Sequence, residues 1–464
     1  MRWQYGCVAI LALSGSISAQ QPDNRGEIEQ LRQALDALKT QYEARIDRLE
    51  QRLAEAENRI SETAEDAEEA QAQAEELALA PRTSSSGAAT SRNAFNPEVG
   101  VVIQATAATL DVEKEGYTVP GFTPPESAGT ANQGLSLGET EINFQTAIDD
   151  KFYGNLTVAL EDEGGETKVE IDEAWFETLA LPAGLKLRGG RFFSEIGYLN
   201  SFHTHADDFI DRPLPYQALL GKRYADDGVQ LRWIKPVEAL LFEFGGEAMQ
   251  GDGFPGAADD GLGAFTLFSH LGGDFGTGSS WRMGASYLEA DVDERTIEER
   301  ELALDPFDPE SPVVADPVFS GESRTWGLDF VYKWAPNGNA TVRNFIFQGE
   351  GFVREEEGRL AGLPFDGQQS GYYIQGVYQW RPGWRVGYRF DALDSDNRGA
   401  FLPGSFLDPR GLDPMRHSVM IEWFNSGFSR IRAQYIRDES TPVDDDQFLL
   451  NYVLSFGAHG AHKF

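Results

Sequence analysis

Two of the six histidines stand close together as His203-Thr204-His205, followed at once by Ala206-Asp207-Asp208. On an extended segment residues i and i+2 point the same way, so two imidazoles and a carboxylate can meet one ion. His203 and His205 are therefore candidate metal ligands, with zinc the matching ion. Acidic tips at Gly251–Gly253, Asp259–Gly261 and Asp444–Asp446 offer carboxylates and carbonyls of the kind that hold calcium. No resident cofactor is otherwise expected. No G-x-S-x-G, H-E-x-x-H or Walker A pattern occurs. A hydrolase would have to assemble its site from separate elements, and a non-enzymatic role is the expectation. The remaining chemistry is charge. Glu139, Glu141, Arg188, Arg232, Glu243, Arg385, Arg389, Asp391, Arg430 and Arg432 fall in stretches where polar and apolar residues alternate. Opposed charges across a water-filled space set a field that orients water and polar solutes.

Alternation of period two is the mark of strands. Thr140, Ile142, Phe144, Thr146 and Ile148 share one face, and Glu139, Glu141, Asn143 and Gln145 the other. Val386, Tyr388, Phe390 and Ala392 oppose Arg385, Gly387, Arg389 and Asp391. Phe448, Leu450, Tyr452, Leu454 and Phe456 repeat the pattern near the end. About 16 such segments of about 8–12 residues can be placed, a length that suits a tilted strand crossing a bilayer. Short turns (near Asp149–Asp150, Pro182–Gly184, Pro236, Pro336–Asn339, Pro382–Gly383 and Ser426–Gly427) alternate with long polar gaps. The gaps are Asp111–Gly134, Ser194–Asp227, Gly251–Gly261, Asp291–Ser320, Glu355–Gln368 and Asp394–Pro414. The expected fold is an all-β transmembrane antiparallel β-barrel over 95–464, with short turns on one side and long loops on the other. Ser194–Asp227 is the candidate constriction, carrying Asp207, Asp208, Asp211, Arg212 and Tyr216.

The region before the barrel reads differently. Residues 1–19 carry Arg2, the apolar run VAILAL and the small residues SGSISA, the pattern of a secretory signal peptide. Residues 20–80 show a heptad seam (Ile28, Leu31, Leu35, Leu38, Tyr42, then Leu49, Leu53) with one four-residue stutter at Ile46. That predicts an α-helical coiled coil in the periplasm, either associating protomers or acting as a spacer. Residues 81–94 are a flexible linker. The chain has 464 residues and a net charge of −36, which excludes nucleic acid as a partner. An aromatic content of 12% excludes an acidic disordered chain. A single cysteine, Cys7, excludes a disulfide scaffold.

The stretch 190–233 resembles the phosphate-selective (O/P) porins of Gram-negative bacteria. The matching residues are Gly190, Arg191 and Phe192, the Ile196–Gly197 pair, Asp211, Arg212, Leu214, Pro215, Gly228 and Gln230. The layout of signal peptide, coiled coil, linker and barrel is similar too, and Phe464 resembles the terminal aromatic of an outer-membrane barrel's last strand. The resemblance implies an outer-membrane channel for small hydrophilic solutes or ions. It also implies a homo-oligomer, a trimer in that family, embedded in outer-membrane lipid. The family's arginine-based anion selectivity fits poorly here, because the net charge from Pro81 onward is −28. The His-bearing segment also resembles barrels described as zinc-regulated TonB-dependent outer-membrane receptors. That suggests an alternative, an uptake channel or receptor linked to zinc. A plugged transporter does not fit, since only residues 20–94 lie between the signal segment and the barrel. An outer-membrane hydrolase is the second alternative.

Overall fold

The computed structural model describes residues 97–457, apart from 113–116, 126–127, 164–165, 238–239, 299 and 400. The expected signal segment, coiled coil and linker, and also His459, His462 and Phe464, lie outside the described residues. The strands are β1 (Glu98–Thr109), β2 (Gly134–Leu137), β3 (Thr140–Ala147), β4 (Phe152–Glu163), β5 (Glu166–Thr178), β6 (Leu185–Phe193), β7 (Ala225–Val237), β8 (Leu240–Met249) and β9 (Ala264–Phe275). They continue as β10 (Ser279–Thr296), β11 (Glu301–Ala303), β12 (Val313–Ala315), β13 (Val318–Trp334), β14 (Asn344–Leu360), β15 (Leu363–Arg381), β16 (Trp384–Arg398), β17 (Met415–Ser426), β18 (Ser429–Asp438) and β19 (Asp445–Gly457). All but the small β11–β12 hairpin belong to one 17-stranded antiparallel sheet. Strands β2 and β3 lie end to end against β1 and act as one stave, so the wall has 16 staves. β1 pairs with β19 from Gly100↔Gly457 to Thr109↔Phe448, and this ladder closes the ring. Closure leaves no unpaired edge, the condition a sheet must meet in hydrocarbon.

The alternation predicts which face each side chain takes. On β13, Trp326, Leu328 and Phe330 point outward and exposed, while Thr325, Asp329 and Val331 are buried inside. On β19, Phe448, Leu450 and Tyr452 are outward, and Gln447, Leu449, Asn451 and Val453 inward. The exposed outer surface thus carries a belt of Leu, Val, Ile and aromatic side chains, which is stable only against lipid. Aromatic pairs frame the belt: Trp380–Trp384, Trp384–Trp423 and Phe275–Trp281 near the short turns, Tyr287–Trp326 and Tyr435–Phe448 toward the long loops. On β13 the distance from Trp326 to Trp334 is about 26 Å of strand at ~3.3 Å per residue, close to the apolar height of about 25 Å usual for such barrels.

Two expectations need correction. Glu355–Gln368 is not a loop: Glu355 pairs with Gln368, and the ladder continues to a tight turn at Ala361–Gly362. Likewise β10 runs on to Thr296, β15 starts at Leu363 and β16 runs on to Arg398, giving strands of 18, 19 and 15 residues and not 8–12. The reason is that these extensions stand beyond the apolar belt. Their outward residues are charged (Glu322, Arg324, Asp396, Arg398), so the alternation that betrays a strand in lipid is missing.

An Arg in the middle of the outer belt has no polar partner. Leu450→Arg is expected to cost about 2–4 kcal/mol of barrel stability. Denaturant titration in lipid vesicles measures this, and a loss below half of that would place Leu450 off the lipid face.

Candidate functional site

The interior is built around one chain segment. Between β6 and β7 the residues from Ser194 to Tyr224 turn inward and do not leave the barrel. Ile196, Leu199, Leu214, Tyr216, Leu219 and Leu220 form a buried apolar cluster with Phe192, Leu288, Phe352 and Tyr373 of the wall. Helix α1 (Leu214–Leu220) lies wholly buried within it. Pro215 suits its first turn, and Gly221 ends it in a left-handed conformation. Val119 and Phe122, from the connection between β1 and β2, join the same cluster.

The segment's first tether is a wall carboxylate. Glu350 on β14 accepts the backbone N–H groups of Tyr198 (2.6 Å) and Leu199 (3.0 Å) and the hydroxyls of Tyr216 (2.8 Å) and Tyr373. Gly197 sits over it with φ +74°, and a Cβ there would lie 2.5 Å from Glu350 Oε2. Asn200 joins the segment's two ends: its amide donates to the carbonyls of Ser194 and Tyr224 and its Oδ1 accepts the Tyr224 N–H, all at 2.8 Å.

Beyond Asn200 the segment crosses between two walls of opposite charge. Strands β16–β18 present arginines. Arg389 donates to Asp211 Oδ2 (2.6 Å), to the Asp211 carbonyl (2.8 Å) and to Asp391 (3.0 Å). Arg416 also donates to Asp211 Oδ2 (2.9 Å) and Gln434 to its Oδ1. Arg385 pairs with Asp208 (2.9 Å) and Glu422, and Arg432 donates to the Asp207 carbonyl (2.8 Å) and to Glu422. Arg430 donates to the carbonyl of His205. Within the segment Arg212 lies 2.7 Å from Asp207 and donates to the carbonyls of Leu199 and Phe202. Facing this wall, β2–β5 present Glu139, Glu141, Asp172 and Glu173. His203 Nδ1 lies 3.1 Å from Glu141 and its Nε2 3.1 Å from Glu173, while His205 Nδ1 lies 3.0 Å from Glu141. Arg223, at the segment's end, holds Glu139 (3.2 Å) and Asp172 (2.9 Å). The segment therefore turns its imidazoles to the acidic wall and its carboxylates to the basic one.

These surroundings move proton affinities in the segment. Burial works against the charge of His203, but Glu141, Asp172 and Glu173 outweigh it and hold its pKa well above the ordinary value. Burial dominates at His205 and pushes it down. For Asp211 burial is overcome by Arg389, Arg416 and Gln434, and its carboxyl is held below the usual 3.8.

Glu139, Glu141, Arg188, Arg232, Glu243, Arg385, Arg389, Asp391, Arg430 and Arg432 all stand on the inner face of the wall. They form two groups. Arg385, Arg389, Asp391, Arg430, Arg432 and Glu141 are buried beneath the segment, and the Glu139 side chain, 8% exposed, lies with them. Arg188, Arg232 and Glu243 keep 15–16% of their side-chain surface, beside Arg282 with 26%. Those four, with Glu177, lie on the β5–β10 side, where Arg232 contacts Glu177, Glu195 and Glu243 at 3.1–3.3 Å. Tyr216, carried by the candidate constriction segment, is a fully buried anchor. Its ring packs edge-on against Phe352, because its hydroxyl is committed to Glu350. Arg223, Asp172, Glu173, Arg416 and Glu350 are absent from the expected set.

No family model matches the chain. A protein of Aquifex aeolicus (strain VF5), described as an uncharacterized protein, is 25% identical over 407 residues, 81% of this chain and 81% of its own. Among solved structures the chain is similar to the trimer form of OmpT, an outer membrane protein of Vibrio cholerae (9% identity, 78% of this chain and 99% of that one, TM-score 0.47). It is also similar to an anion-selective porin from Comamonas acidovorans (9%, 78% and 99%, 0.47) and to OprB of Pseudomonas putida (10%, 78% and 94%, 0.45). The barrel's own hydrogen-bond ladders, and not these likenesses, define its fold.

Arg389→Ala leaves Asp391 buried without its cation, and a loss of about 3–5 kcal/mol is expected from such a broken pair. Thermal unfolding monitored by circular dichroism reads it. Because the Asp211 pKa is depressed, its contribution is present above 3.8 and is lost as pH falls further, through the folded value. Hydrogen exchange of the segment, corrected for its intrinsic pH dependence, should therefore rise as pH falls below 3.8. A rise confined to neutral pH would contradict the Asp211 tether.

Proposed function

We propose that this protein is an outer-membrane channel through which small hydrophilic solutes or ions diffuse passively. The observation that carries the reading is a closed ring of 16 staves, apolar outside and charged inside, narrowed by a segment anchored to both walls. Such an interior serves passage and not storage, because partly exposed charges of both signs (Arg188, Arg232, Glu243, Arg282) line what the segment leaves uncovered. The resemblance to O/P porins supports the same reading and adds a trimer in the outer membrane. Phosphate selectivity is not part of it. The arginines of β16–β18 already have Asp207, Asp208, Asp211, Asp391, Glu422 and Asp438 as partners. A permeating anion would have to displace those partners. Glu247 and Glu350 add buried carboxylates held by neutral donors, so the interior favours cations.

Purified protein in planar bilayers is expected to give stepwise conductance, with a reversal potential in a salt gradient on the cation side. Arg389→Ala, by loosening the segment, is expected to raise single-channel conductance. Absence of steps above leak overturns the channel. A reversal potential favouring anions overturns the selectivity.

A further inference from the structure

The acidic wall is built in an unusual way. In the ladder between β4 and β5, Thr157 pairs with Glu173 but Val158 with Ile171, so Asp172 is an extra residue. A bulge of this kind re-aims a side chain. Here it lets two consecutive residues, Asp172 and Glu173, both face the interior while Ile171 and Phe176 stay in the outer belt. A second bulge lies one stave away. β1 pairs Val102 with Glu141 but Ala105 with Leu137, which puts one extra residue at Gly138–Glu139. The two irregularities flank β4, whose inward residues there are small, Thr157 and Ala159. They gather four carboxylates around His203.

The contacts at this place resemble a prepared coordination site more than a set of ion pairs. Ligand atoms of Glu141, His203 and His205 lie within 4.8 Å of one another, and so do those of Glu139, Glu141, Asp172 and His203. His203 Nδ1 is enclosed and lies off the line of a hydrogen bond to Glu141. Asp172 Oδ2 is also enclosed, accepts no hydrogen bond, and lies 3.6 Å from that nitrogen. The outer contacts are in place. Glu173 takes the Nε2 side of His203, and is itself held by Trp175 Nε1 (2.9 Å) and Asn155 (3.4 Å). This carboxylate–histidine pairing fixes a ring so that its other nitrogen faces a metal. Arg223 fixes Asp172 and Glu139. The rings of His203 and His205 stack 5.5 Å apart.

We propose that Glu141, His203 and His205, with an oxygen of Asp172, bind a zinc-class divalent cation that clamps the interior segment to the β3–β5 wall. Two imidazoles with carboxylates match zinc and its first-row neighbours, whereas calcium and magnesium take oxygen alone. Coordination needs both imidazoles deprotonated at the ligating nitrogen, so the cation competes with protons for the site. The excess of four carboxylates over Arg223 favours a doubly charged ion over a single proton. The site joins two elements, the lumenal segment and the wall, so the cation stabilises the segment's inward position.

The test uses the full chain in detergent, with its barrel state verified by heat-modifiable electrophoretic mobility. Titration calorimetry with Zn2+ is expected to show one ion per chain, with no competition from excess Ca2+. X-ray absorption is expected to show nitrogen and oxygen neighbours at about 2.0–2.2 Å. His203→Ala combined with His205→Ala should abolish binding, and Glu173→Gln, which touches only the outer contact, should weaken it about 10–100-fold. Zn2+ should also slow tryptic cleavage of the segment in the unmodified protein. Wild-type protein without zinc uptake, equal binding by the double variant, or full affinity in Glu173→Gln would each overturn the site. If the double variant does not reach its barrel state, Glu173→Gln and the absorption spectrum decide. None of these readings depends on conductance.

Discussion

The structure turns on the fit between a polar segment and the polar inner face of the barrel. A barrel of 16 staves encloses more space than its inward side chains can fill. The arginines of β16–β18 and the carboxylates of β2–β5 would repel one another within each group if left alone. The segment from Ser194 to Tyr224 resolves both problems. Asp207, Asp208 and Asp211 and several backbone carbonyls meet the arginines, and His203, His205 and Arg223 meet the acids. Removing one member of such a buried pair leaves the other uncompensated, which is why these contacts specify one position for the segment. The apolar cluster around Tyr216 and Leu219 then adds non-directional burial to a position already chosen by charge.

The outer face follows a different rule and is nearly independent of this. Its belt needs only apolar residues at alternate positions, and its backbone is satisfied by the ladders. That separation explains which features the sequence reveals. All 16 staves can be placed from alternation, because lipid imposes it on every crossing strand. The wall bulges can be read too. The outward series Val169, Ile171, Ala174, Phe176 contains a step of three, as does Leu135, Leu137, Thr140, Ile142. That break is the signal that would have found Asp172 and Glu173 as inward neighbours of the histidines.

What alternation does not carry is partnership. Arg389 and Asp211 are 178 residues apart, and Tyr198 and Glu350 152. Nothing in local spacing says that an arginine on β16 is neutralised by the segment and not by a solute. The same gap hides Arg223, which looks like one more loop cation until the segment's end is known to rest on the acidic wall. The overlong strands β10 and β14–β16 were illegible for a simpler reason: beyond the lipid their outward residues are polar, so the apolar alternation that marks a crossing strand stops before the strand does.

Closure by β1 against β19 brings Gly100 beside Gly457, so both ends of the ring meet at one rim. This requires an even number of staves. Growth or shrinkage of such a ring by whole hairpins preserves the meeting, whereas a single added stave would force a parallel pairing. Yet the interior segment is cut to one width, touching Glu141 on one side and Arg389 on the other. It acts as a gauge for the diameter. A wider ring made by duplicating a hairpin would keep its ladders and its lipid face and lose one bank of the ion pairs within.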